Sequence, residues 1–258
     1  MAERIRFEQE GDVGQIVVEA PPLNLFGEGM GEELQAALAH AEGAGLRALV
    51  IRAEGKVFTG GVDVQIFEGL SGPDAESLAH DLLAITRRVE DMPFPTISSV
   101  GGLCLTWGFE LSLACDLILA ADAARFGLVE RVVGITPFMG GVQRVAERAG
   151  PARARELVMT GDLYPAETLR QWGVINRVTA LGELEDQTRQ LAEGLAAGPT
   201  LAMAATKQIV RAQVDEGTRG ADERTPGIAG PLFETDDTKA AIRTFLEEGP
   251  GKATFEGR

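Results

Sequence analysis

The stretch Val100-Gly101-Gly102-Leu103-Cys104-Leu105-Thr106-Trp107-Gly108-Phe109-Glu110-Leu111 decides how the rest of the chain reads. The residues leading into it, Thr96–Val100, predict a strand. Gly101-Gly102 then lets the backbone cross close to a neighbouring segment. The apolar run after Leu105 predicts a helix with Thr106 as N-cap, its hydroxyl serving the amide of Gly108 or Phe109. That leaves the Trp107 amide free at the positive end of a helix, where it suits a developing oxyanion. Glu110 lies three residues further on, on the same helical face. The competing explanation for a glutamate at this position is a capping box with Thr106.

Outward from this stretch, strand patterns recur at Ile5–Gln9, Gln15–Glu19, Ala48–Ala53, Leu117–Ala121 and Val174–Val178. Helical patterns alternate with them at Gly29–Ala44, Ala75–Glu90, Val142–Glu147, Ala152–Met159 and Ala166–Trp172. The alternation predicts an α/β core with no repeat of fixed period. After residue 182 only helices are expected, at Leu184–Ala197, Thr200–Asp215 and Thr235–Glu247, with turn-rich chain over 217–231. The chain therefore divides into a core that contains the active site, 1–195, and a helical region, 196–258.

Composition narrows the function. Lys and Arg number 24 against 39 Asp and Glu, a net charge of −15, which argues against nucleic acid and anionic membrane as partners. The apolar runs, such as 111–115 and 117–121, are cut by Asp116 and fall short of the ~20 residues of a membrane span. The polar N-terminus has no signal-like pattern, and the two cysteines, Cys104 and Cys115, fit a reducing, cytoplasmic setting as small buried hydrophobes. Dinucleotide, P-loop, nucleophile-elbow and HExxH motifs are all missing. The only histidines, His40 and His80, fall on amphipathic helices and read as surface residues, so neither a histidine base nor a metal site is expected. Carboxylates and backbone amides remain to do the chemistry. A second backbone-rich segment, Lys56-Val57-Phe58-Thr59-Gly60-Gly61-Val62-Asp63-Val64, follows the strand Ala48–Ala53 and brings a Gly pair to a strand exit.

These segments, in this order, resemble the crotonase (enoyl-CoA hydratase/isomerase) superfamily. Its F-S-A-G-A-D-L motif is matched by Phe58–Val64, and its V-x-G-x-A-x-G-G-G-x-E-L motif by Val100–Leu111, continuing into Ala114-Cys115-Asp116. A third motif, F-G-x-P-E then G-x-x-P-x-x-G-G-x-Q-R, is matched by Phe126-Gly127-Leu128-Val129-Glu130, Gly134, Pro137, Gly140-Gly141, Gln143 and Arg144. The resemblance implies a crotonase-type spiral of repeated ββα units with a helical C-terminal region. It implies an oxyanion hole from the amides of Val62 and Trp107, and catalysis by Glu110 and Glu130. Gly61, Asp63, Gly108 and Lys56 are expected at the substrate, which is a coenzyme A thioester; no metal or separate cofactor is expected. The implied activity is hydration of a 2-enoyl-CoA, as in fatty acid metabolism, by a homotrimer or homohexamer built through the C-terminal helices. A Δ3,Δ2-enoyl-CoA isomerase, which needs one carboxylate, and a catalytically silent CoA-thioester binder are the alternatives. The pattern departs from the family at Thr106 and Trp107, where small glycines are usual, so the indole is expected to limit the acyl pocket. An ion pair from Glu130 to Arg125 or Arg131 is the non-catalytic alternative for that glutamate.

Overall fold

Three strands whose residues are buried almost from end to end set the core: β3 (Ala48–Ala53), β5 (Thr96–Val100) and β7 (Leu117–Ala121). Such continuous burial belongs to parallel strands covered on both faces. In the computed structural model, which describes residues 4–258, they form the centre of a six-stranded sheet. Its order is β1-β2-β3-β5-β7-β10, with β1 (Ile5–Glu10), β2 (Val13–Val18) and β10 (Arg177–Thr179). Only β1 runs antiparallel, to β2; the register of the rest is parallel, with Leu49 opposite Thr96 and Ile97 opposite Leu117.

A second, smaller sheet has the order β4-β6-β8-β9, from β4 (Val57–Thr59), β6 (Leu103–Leu105), β8 (Arg125–Gly127) and β9 (Tyr164–Pro165). The chain alternates between the sheets. β3, β4 and helix α2 (Gly72–Glu90) make one turn; β5, β6 and α3 (Thr106–Ala114) make the next; β7, β8 and α4 (Gly141–Ala149) the third. This is the spiral of ββα units expected from the sequence. The unit starts at Ala48, Thr96 and Leu117 are unevenly spaced, so no sequence period betrays them.

Around this spiral lie α1 (Met30–Gly43), α5 (Pro151–Thr160), α6 (Ala166–Gln171) and α7 (Leu184–Ala196), the last packed on β3 and β5. Helices α8 (Thr200–Ala229) and α9 (Asp236–Glu248) complete the chain. Lys207 on α8 pairs with Asp116 at 2.9 Å, and Arg47 ties Gly198 and Phe255 to the core through their carbonyls. No helix of the described residues is long and apolar enough to cross a membrane.

Three expectations need correction. Residues 217–231 are mostly helical: Gly217, at φ 74° and ψ 176°, breaks α8, and the helix resumes and runs to Ala229. Pro226 is accommodated there because it and Asp222, whose carbonyl it leaves unbonded, are exposed to water. The last strand begins at Arg177 rather than Val174, because Val174 and Ile175 close the end of α6 through amide bonds to the Leu169 carbonyl. Thr106 is not a capping residue; it sits at φ 48° and its side chain bonds to no helix amide.

All nine residues of α3 are buried, so this short helix is the centre of the molecule. Gly108 lets it approach β4: a Cβ there would lie 2.9 Å from the Phe58 ring and closer still to Thr59. Alanine is otherwise the better helix former by ~1 kcal/mol. Gly108→Ala is expected to destabilise by ~1–3 kcal/mol through overpacking, lowering the melting midpoint by ~2–8 °C. A midpoint at or above that of the wild type in calorimetry would mean that the approach is not tight.

Candidate active site

The three parallel strands of the small sheet all end at one cavity. Val62 follows β4, Trp107 follows β6 and Glu130 follows β8, each two or three residues beyond the last strand residue. Carboxyl ends of parallel strands are where α/β folds gather ligands, because the chain must turn there and expose backbone groups. The cavity has a volume of about 180 Å³. Gly61, Val62, Thr106, Trp107, Glu110 and Glu130 all line it, and most of the remaining wall is apolar.

One hydroxyl locks two of these strand ends together. Thr59 Oγ1 accepts the Gly61 amide at 2.9 Å and the Trp107 indole Nε1–H at 2.8 Å, and donates to the Asn24 carbonyl at 2.7 Å. Gly61 has φ 113° and Thr106 φ 48°, so the residue before each expected oxyanion donor has positive φ. The Val62 and Trp107 amides form no bond to a loop carbonyl or side chain of the described residues, and Trp107 comes too early in α3 to have a helical partner. The indole, 1% exposed and 5.5 Å from the Phe26 ring, is thus a strut as well as part of the wall.

Glu110 is 2% exposed and its Oε1 accepts two amides, Met139 and Gly141, both at 2.9 Å. The capping-box explanation falls away. The turn that supplies these amides needs Gly141, where a Cβ would come within 2.8 Å of Glu110 Cγ. Its other bonds are from Thr86 Oγ1 to the Met139 carbonyl at 2.9 Å, and from Arg144 Nη1 to the Met139 and Gly140 carbonyls. Arg144 is itself clamped on Glu90 at 2.6 Å. Glu130, 8% exposed, opens a single helical turn, and its Oε2 is buried without a partner. Neither arginine considered for it is used: Arg131 donates to the Thr160 carbonyl and Arg125 to those of Ala123 and Ala124.

Burial sets the charge state of this pair. It raises both carboxyls, Glu110 to about 8, further lifted by the Glu130 charge, and Glu130 to about 7. The two amides and Arg144 pull Glu110 back, and Glu130 is lowered by its own amide. Both carboxyls are therefore held toward their protonated forms, so proton donation and acceptance by this pair come within reach near neutral pH. The cysteines take no part: both are buried, with Cys104 raised and Cys115 pushed up to about 12 by desolvation. His40 stacks on Phe7 and His80 is exposed.

Among the residues expected at the substrate, Gly61 lines the cavity, whereas Asp63, Gly108 and Lys56 do not. Asp63 caps the turn that follows it by accepting the Gln65 amide, and Gly108 serves the packing of α3 on β4. Lys56 is exposed ahead of β4, and its carbonyl lies so close to Gly102 that no Cβ fits there. The residues that sequence reasoning missed are Thr59, Met139, Thr86 and Glu90, which hold the site without reacting. Met139 precedes the Gly140-Gly141 pair of the third motif, which was the available signal. Among the described residues no group of His, Cys, Asp and Glu could hold a metal.

The buried pair makes a pH prediction. Between the ordinary carboxylate value and about 8 the folded protein binds more protons at Glu110 than the unfolded chain does, so stability falls as pH rises through that window. Glu110→Gln keeps the acceptor for Met139 and Gly141 but cannot ionise. It is expected to match the wild type near pH 4 and to exceed it by ~1–3 kcal/mol at pH 8. An equal difference between the two proteins at both pH values would show that folding does not raise the proton affinity of Glu110.

The arrangement matches known proteins. The family model described as Enoyl-CoA hydratase/isomerase matches residues 8–258. The chain is 36% identical over 228 residues to a carnitinyl-CoA dehydratase of Salmonella enteritidis PT4, covering 85% of this chain and 86% of the relative. It is 35% identical to that of Citrobacter koseri, covering 96% and 97%. Among solved structures, "Enoyl-CoA Hydrates Subunit I" of Geobacillus kaustophilus HTA426 superposes with a TM-score of 0.92 at 34% identity, covering 99% and 98%. An enoyl-CoA hydratase of Bacillus anthracis superposes with a TM-score of 0.90 at 25% identity, covering 99% and 100%. A spiral fold, two buried glutamates on one cavity at the ends of its small-sheet strands and a family match over residues 8–258 together mean that this chain belongs to the enoyl-CoA hydratase/isomerase family, the crotonase superfamily.

Proposed function

We propose that the protein hydrates a 2-enoyl-CoA thioester, and equally removes water from the 3-hydroxyacyl product. The observation that carries this reading is the presence of two carboxyls, Glu110 and Glu130, with raised proton affinity on one cavity that also holds the free Val62 and Trp107 amides. The thioester oxygen sits between the two amides. Water adds to C3 as one carboxylate takes its proton, the C2–C3 π electrons move toward the thioester, and the protonated partner delivers a proton to C2. Charge that builds on the thioester oxygen is met by the amides; each such donor is worth ~10²–10³ in rate. Carnitinyl-CoA dehydratase, the name of the relatives above, describes loss of water from a CoA ester, the same bond change in reverse. The mostly apolar wall and small volume favour a short, uncharged acyl group. The CoA phosphates would draw on exposed cations such as Lys56 and Lys252, whereas Lys239 is engaged with Glu234.

Glu110→Gln and Glu130→Gln are each expected to lower turnover of crotonyl-CoA by ~10²–10⁴ with little change in thioester binding. The double variant should lose much less than the product, since the two carboxyls act as a unit on one addition of water. A Δ3,Δ2-isomerase would keep most of its activity in Glu110→Gln. Loss of the conjugated enoyl absorbance, followed for 2-enoyl-CoA esters of increasing length, with carnitinyl-CoA assayed for the reverse reaction, decides between these readings. A wild type inert toward all of them would leave the silent binder.

Assembly is part of the proposal. Val210 on α8 and Ile242, Phe245 and Leu246 on α9 are large apolar side chains left exposed, the kind of surface that a partner chain covers. A trimer, or a pair of trimers, would cover it. Sedimentation is expected to give a species of three or six chains; a stable monomer at the 27.4 kDa chain mass would refute this.

A further inference from the structure

Among the described residues, only two buried side-chain polar atoms have no hydrogen-bond partner, Glu130 Oε2 and Thr106 Oγ1, and both residues line the same cavity. Glu130 is accounted for by proton transfer; Thr106 is not. It is 5% exposed, and it adopts φ 48°, a conformation that glycine takes without strain and a β-branched residue does not. A residue that is both strained and unsatisfied at a cavity wall is the kind of outlier from which a role in function is inferred.

Its position says what that role is. Thr106 directly precedes Trp107, one expected oxyanion donor, and faces Gly61, which directly precedes Val62, the other. A Cβ built on Gly61 would lie 3.4 Å from Thr106 Oγ1 and 3.6 Å from its Cγ2. The hydroxyl thus lies beside the residue that precedes one amide and is carried by the residue that precedes the other. We propose that Thr106 Oγ1–H is a third hydrogen-bond donor to the thioester oxygen of the bound CoA ester. The inference rests on the thioester reading of the cavity given above. A neutral hydroxyl donates more strongly as negative charge builds on that oxygen, so its contribution falls on the transition state more than on the bound ester, and on kcat more than on KM.

The test uses butyryl-CoA labelled with ¹³C at the thioester carbonyl, which has no double bond to hydrate, together with the Thr106→Ser, Thr106→Val and Thr106→Gly variants. Infrared difference spectra of the bound ester are expected to show a carbonyl stretch lowered most in the wild type and Thr106→Ser, and lowered less in the other two. With crotonyl-CoA, kcat should fall about 10- to 100-fold in Thr106→Val and Thr106→Gly at nearly constant KM, and stay within about threefold in Thr106→Ser. Thr106→Gly relieves the backbone strain and controls for folding; its melting midpoint should equal or exceed that of the wild type. The same carbonyl stretch in all four proteins, or undiminished kcat in Thr106→Gly, overturns the proposal. A hydroxyl that instead holds the attacking water would lower kcat while leaving the carbonyl stretch unmoved, and that too overturns it. If no enoyl-CoA is turned over by the wild type, the hydratase reading fails, and the carbonyl stretch alone still decides the role of Thr106.

Discussion

The carboxyl of Glu110 is buried in the centre of the protein, and much of the surrounding structure serves to keep it there. An uncompensated carboxylate in such a place would cost far more than the stability of a typical domain can bear. It is tolerated because the Met139 and Gly141 amides both point at one of its oxygens. Those amides belong to a turn that exists only because Thr86 and Arg144 occupy its carbonyls and because Gly141 leaves room beside Glu110. Arg144 in turn needs Glu90 at the end of α2. A chain of polar contacts thus runs from α2 through the turn before α4 to α3, and removal of one partner leaves the others buried and unpaired.

The spiral determines which groups can meet. Each turn sends one strand into the large sheet and a short one into the small sheet, so successive units deliver equivalent strand ends to one place. Val62, Trp107 and Glu130 are such equivalents, despite lying 45 and 23 residues apart in a sequence with no visible period. The Thr59 hydroxyl stitches the first two ends together. Groups that come from repeated strand ends need little individual positioning, because the sheet register places them. What remains is local: glycines or a strained residue where the amide must turn outward.

How much of this could be read from the chain depends on the length scale of the feature. The large-sheet strands β3, β5 and β7 are legible to the residue, because β7 is an unbroken apolar run, β3 is interrupted only by Arg52, and β5 is short, rich in β-branched residues and ends at Gly101-Gly102. The small-sheet strands are two or three residues long and give no periodicity, so Val57–Thr59 and Leu103–Leu105 were visible only as linkers between glycines. Glu130 and the Val62 amide are singled out by ordered motifs alone, whereas the Trp107 amide and Glu110 also follow from the expected helix start after Leu105. Thr106 was misjudged for a physical reason. Threonine before an apolar run is ordinarily an N-cap with extended backbone, whereas this one has φ 48°, lies beside Gly61, and its hydroxyl bonds to no helix amide. At residues 217–231, glycine and proline were read as turn formers. Solvent exposure, which a sequence does not display, lets Pro226 sit inside a helix.

The same polar chain tempers the rise in proton affinity that burial gives Glu110. Amide donors alone hold a carboxylate well below its ordinary value, and burial alone drives it far above. At Glu110 both act at once, with Arg144 adding to the downward pull. Arg144 is not a free cation, however: Glu90 sits 2.6 Å from it and offsets most of its field at longer range. By neutralising that arginine while leaving its hydrogen bonds to Met139 and Gly140 intact, Glu90 separates two functions of one side chain. The guanidinium shapes the turn that holds Glu110, and its charge is largely kept from deciding whether Glu110 carries a proton.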